Sequence, residues 1–123
     1  MKNLEEIKAA LLYEIDHFKP PDHSKAIGLI GVPWSAQRYL DEVVKMRKCL
    51  IEPYWHLAFI GNTATAMGKE QAEQRTVAVL AKDMNYVLCF DPHLQTYALG
   101  WTNSEGQIST FSYGDAVGIF VSR

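Results

Sequence analysis

Thr76–Trp101 reads TVAVLAKDMNYVLCFDPHLQTYALGW, the densest β-type pattern in the chain: three apolar runs separated by turn residues. Valine, tyrosine, phenylalanine and tryptophan suit a pleated, half-buried surface. The pattern predicts strands at Thr76–Ala81, Tyr86–Phe90 and Tyr97–Trp101, with a turn at Lys82-Asp83-Met84-Asn85 and a loop over Asp91–Thr96. Thr102-Asn103-Ser104-Glu105-Gly106 then turns the chain into a fourth strand, Ile108–Tyr113. Connections this short join antiparallel neighbours, so a meander is expected. Alternation gives it two faces. Tyr86, Leu88, Phe90, Tyr97, Leu99 and Trp101 make a large-residue face, expected to be the main core. Val87, Cys89, Ala98 and Gly100 make a small-residue face on which a helix could lie close.

Upstream, Leu4, Ile7, Leu11, Ile15 and Phe18 recur every three or four residues and predict a helix from Asn3 to Phe18, ended by Lys19-Pro20-Pro21. Asn3 is its expected N-cap, with Glu5 and Glu6 at the positive end of the dipole. Ala26–Val32 reads as a short strand broken by Pro33-Trp34, and Ser35 caps a second helix from about Ala36 to Lys48. Its apolar side is either Leu40, Val43 and Val44 or Tyr39, Val43 and Met46. Pro53 marks the next break, before a buried strand Tyr54–Gly61 with Trp55, Leu57 and Phe59 on one face and His56, Ala58 and Ile60 on the other. Asn62–Gln74 reads as a loop ending in a short exposed helix. After Gly114-Asp115 the propensities favour a fifth meander strand, Ala116–Ser122, over a short helix capped by Asp115. The expected fold is α+β, with N-terminal helices packed on a mainly antiparallel five- to seven-stranded β-meander sheet, in a single domain over 1–123.

At 48% hydrophobic and 21% charged residues the chain has the composition of a globular domain. A net charge of −2 without a basic stripe argues against nucleic acid, and the apolar runs are too short for a membrane-spanning helix. Glu5 and Glu6 stand where a secretory signal would be basic and then apolar, so a cytoplasmic, bacterial-type protein is expected. Cys49 and Cys89, without a CxxC partner, are expected to be reduced structural thiols; the basic run Lys45-Met46-Arg47-Lys48 could lower the Cys49 pKa if that thiol is exposed.

No recognised catalytic motif occurs, so an enzymatic role has no support from pattern. Gly61 to Lys69 imitates a phosphate-binding loop, but six residues separate its glycines where four are needed, and Glu70 replaces the magnesium-binding hydroxyl. His17, His23, His56 and His93 show no metal-ligand spacing, and neither metal nor cofactor is expected. Asp91-Pro92-His93 is the best acid–base candidate, although Asp and Pro are ordinary turn residues. Trp34, Tyr54, Trp55 and Trp101, with Tyr97, are polar-tipped aromatics; Trp34 and Tyr54-Trp55 exposed together would form a partner-binding patch. The candidate binding residues are therefore Trp34, Tyr54, Trp55, His56, Asp91, His93 and Trp101.

Tyr86-Val87-Leu88-Cys89-Phe90-Asp91-Pro92, followed by Tyr97-Ala98-Leu99 and Tyr113-Gly114-Asp115, resembles the C-terminal half of the SUKH superfamily, over roughly Ala78 to Phe120. That resemblance implies a small α+β domain acting as a toxin-neutralising immunity protein or a regulatory interaction module, with a helix after the final Gly-Asp. In shape alone the order of elements is also similar to an NTF2-like cone around an apolar pocket. Three functions stay open: a non-enzymatic protein-binding module; a small-molecule-binding cone, with or without hydrolase or isomerase activity, using His56, Asp91 or His93; and a structural homodimer.

Overall fold

A computed structural model describes residues 3–20, 35–60 and 73–123. Its elements are α1 (Leu4–Asp16), α2 (Ala36–Cys49), β1 (Leu50–Ile60), β2 (Glu73–Asp83), β3 (Tyr86–Asp91), β4 (Thr96–Thr102), β5 (Ile108–Gly114) and α3 (Ala116–Val121). The α+β class and the antiparallel meander β2–β5 are as expected. Beyond that expectation, the sheet closes: β1 pairs antiparallel with β2 and parallel with β5, through Ala58–Ile108, Phe59–Ser109 and Ile60–Thr110, giving a five-stranded barrel.

Closure explains the two faces. The large residues Leu88, Phe90 and Leu99 point outward into a core shared with Ile7, Leu11 and Ile15 of α1, Val43 and Met46 of α2, and all of α3 except Gly118. The small residues face the lumen. There Val87 and Cys89 meet Ala58, Val77, Val79 and Ile108, the far walls of the same barrel. The helix expected over this face is thus replaced by the opposite wall, because a five-stranded barrel leaves little room inside. Gly100 shows how little: a Cβ there would lie 3.1 Å from the Ser109 carbonyl oxygen and 3.2 Å from Cγ2 of both Ile108 and Val87. β2 is buried on both sides, and a bulge after Val79 turns the adjacent Leu80 and Ala81 together towards the helices. Fully burying a side chain such as Ile7, Leu88 or Phe120 contributes about 1.5–3 kcal/mol.

Both long helices start as their caps dictate. The Asn3 side chain accepts from the Glu6 N–H at 2.8 Å, and the Ser35 hydroxyl accepts from the Arg38 N–H at 3.1 Å. α2 buries Val43 and Met46 and leaves Leu40 and Val44 exposed, which settles its apolar side. It runs directly into β1. Pro53 does not break that strand; it sits within the register shift between Leu50 and Tyr54, where no ladder hydrogen bond is required of it. β2 begins at Glu73, so Glu73 and Gln74 are strand rather than the end of a helix. The expected strand Ala26–Val32, Trp34 and the rest of the Asn62–Gln74 loop lie outside the described residues.

The C-terminus corrects the propensity argument. Ala116–Val121 is a helix, and Ala116, Val117, Ile119, Phe120 and Val121 are all buried. An alternating strand would have turned half of them outward. The Asp115 carboxylate caps α3 by accepting from the Gly118 N–H at 2.8 Å. A glycine inside a helix costs stability, yet a Cβ at Gly118 would stand 2.7 Å from Oδ1 of Asp115. Its lack of a side chain makes the cap possible.

Candidate functional site

Two regions carry features beyond packing: the polar end of the barrel and the outer face of β4–β5–β1. At the polar end, alternation puts Arg75 of β2 and Asp91 of β3 on the lumen side, beyond Val77 and Cys89. Asp91 is fully buried. Its Oδ2 accepts from Arg75 Nη2 at 2.6 Å and Nε at 3.2 Å, and its Oδ1 accepts from the His93 N–H at 2.9 Å and, at 3.4 Å, the Leu94 N–H. Arg75 also donates to Glu73 at 2.8 Å. The hydrogen bond to Asp91, foremost, holds the guanidinium pKa above its ordinary value. Nearby, the Thr110 hydroxyl, almost fully buried, lies 3.0 Å from the Tyr113 hydroxyl. Both carboxylate oxygens of Asp91 are engaged and its charge is matched, so the group locks the barrel end and the following turn. Gln95 completes that turn at φ 54° by donating to the Pro92 carbonyl at 2.6 Å.

The remaining candidates separate. His93 meets Asp91 only through its backbone N–H, and its side chain is exposed; the two do not form an acid–base pair. His56 Nδ1 lies 2.7 Å from the Leu57 carbonyl, a satisfied histidine. Tyr54 packs against the lumen cluster with Lys82 Nζ 5.2 Å from its ring centroid. Trp55 follows it on the opposite face, so Tyr54 and Trp55 share no patch. Trp101 is half exposed and stands edge-on to Tyr86 at 5.0 Å. His17 bonds to the Tyr13 carbonyl at 2.8 Å and stacks on the Tyr13 ring. Among the described residues no group of three or more His, Cys, Asp or Glu could hold a metal ion.

Neither thiol is activated. Burial, with the Asp91 charge second, pushes the Cys89 thiol up to about 12. Cys49 is also raised, by burial and then by Asp83, against a lowering from Arg123, so the basic run before it does not decide its chemistry.

The second region is apolar. Trp55, Leu57 and Phe59 on β1 point out of the barrel, and Phe59 lies beside Ser109, which lies beside Trp101. Phe111 is next outward on β5. Trp55, Leu57, Trp101 and Phe111 are between 38% and 54% exposed. The neighbouring outward positions of β2, Gln74 opposite Phe59 and Thr76 opposite Leu57, are polar but uncharged. In the sequence the alternation of Trp55, Leu57 and Phe59 was visible. Its direction was not, because only the tertiary packing shows that, among the described residues, α1 and α3 also touch β1 and β5 yet leave Trp55, Leu57, Trp101 and Phe111 exposed. Phe111, flanked by Thr110 and Ser112, gave no signal at all.

Beside it, a shallow groove of about 20 Å³ between α1 and β1 is lined by Lys8, Leu11, Leu12, Leu50, Ile51, Pro53 and Leu80. It has room for little more than one water molecule. Among the described residues, no helix is long and apolar enough to cross a membrane. Comparison with protein-family models, with curated proteins and with solved structures finds no match.

Proposed function

We propose that this protein is a non-enzymatic module that works by binding another polypeptide through the outer face of β4–β5–β1. One observation carries the reading: four large apolar side chains on that face are exposed, and no charged residue occupies the outward positions among them. Contiguous exposed apolar surface of this kind marks interaction sites, and aromatic anchors dominate their energetics. The polar end of the barrel supports the same reading, since both carboxylate oxygens of Asp91 already accept hydrogen bonds from within the chain. A narrower role, toxin neutralisation or regulation in a bacterial cytoplasm, rests on the resemblance of Ala78–Phe120 to the SUKH superfamily.

The test is accessibility at the face. In a Cys49→Ser background, the thiol of Leu57→Cys is expected to react readily with a maleimide in the dilute purified protein and to be protected inside the cell that makes it. Equal reactivity in both settings would refute the proposal.

A further inference from the structure

We draw no further inference here: the strongest candidate, the exposed apolar patch of Trp55, Leu57, Trp101 and Phe111 on the outside of the barrel, belongs to the surface already described, and nothing in the structure shows what covers it.

Discussion

Breaking the Arg75–Asp91 pair should be among the most damaging small changes available in this protein. Asp91→Asn keeps an oxygen for the His93 N–H but turns an amide towards the guanidinium, losing two charge-assisted hydrogen bonds of 2.6 and 3.2 Å at a fully buried position. Bonds to charged groups contribute about 1.5–3 kcal/mol each. The second is long, so a loss of about 3 kcal/mol is expected. Arg75→Met leaves the carboxylate buried and unpaired, which costs about 3–5 kcal/mol. Against a total stability of about 5–15 kcal/mol, either change is large. The double variant Arg75→Met/Asp91→Asn should be less destabilised than the sum of the two, by about 2 kcal/mol, since neither partner then leaves a stranded charge. Urea denaturation, with midpoints compared at constant slope, measures all four corners of the cycle. A coupling below about 0.5 kcal/mol would refute the account of Asp91 as a structural lock and free it for another role.

Three further outcomes test the fold directly. Gly100→Ala should cost about 1–3 kcal/mol by urea denaturation, because its Cβ meets the opposite barrel wall; a neutral result would contradict lumen packing. Met84→Gly should stabilise by about 0.5–1 kcal/mol in the same assay, since Met84 holds φ 54° and, at 93% exposed, packs on nothing. The third concerns Glu14, whose carboxylate accepts from the Ala116 N–H at 3.1 Å and ties α1 to α3. Burial raises its pKa, the Ala116 hydrogen bond lowers it by less, and Asp115 adds a smaller rise. A carboxyl raised in the folded state favours folding when protonated, so its contribution is present at low pH and lost as pH rises through the folded value. Glu14→Gln keeps an acceptor without the charge. Its melting temperature should exceed the wild-type value at neutral pH, and the difference should shrink towards about pH 4; a constant or inverted difference would contradict this origin.

Much of the architecture was written in local pattern. The capped helix from Asn3, the Ser35 cap and the alternation of Tyr86–Trp101 depend on neighbours three or four residues apart or on strand period, and the chain states these directly. Side-chain size even separated the two faces of the meander correctly. What each face meets was a different matter. The lumen exists only because β1 pairs with β5 some fifty residues away, and no local feature encodes a parallel contact of that span. The candidate site depended on the same event. Asp91 read as a turn residue with catalytic potential until Arg75, on another strand, came within 2.6 Å.

By itself, the sequence determined where α1 and α2 begin, which positions of β3 and β4 alternate, and that Thr76–Trp101 forms a meander with one bulky and one slender face. Tertiary structure alone decided that the slender face lines a closed barrel, that Ala116–Val121 coils into a helix buried at every position but Gly118 instead of extending as a strand, and that Trp55, Leu57 and Phe111 are exposed. The physical reason is the range of the forces involved. Caps, periods and turns act within a few residues, whereas burial is assigned by whichever distant segment packs over a face.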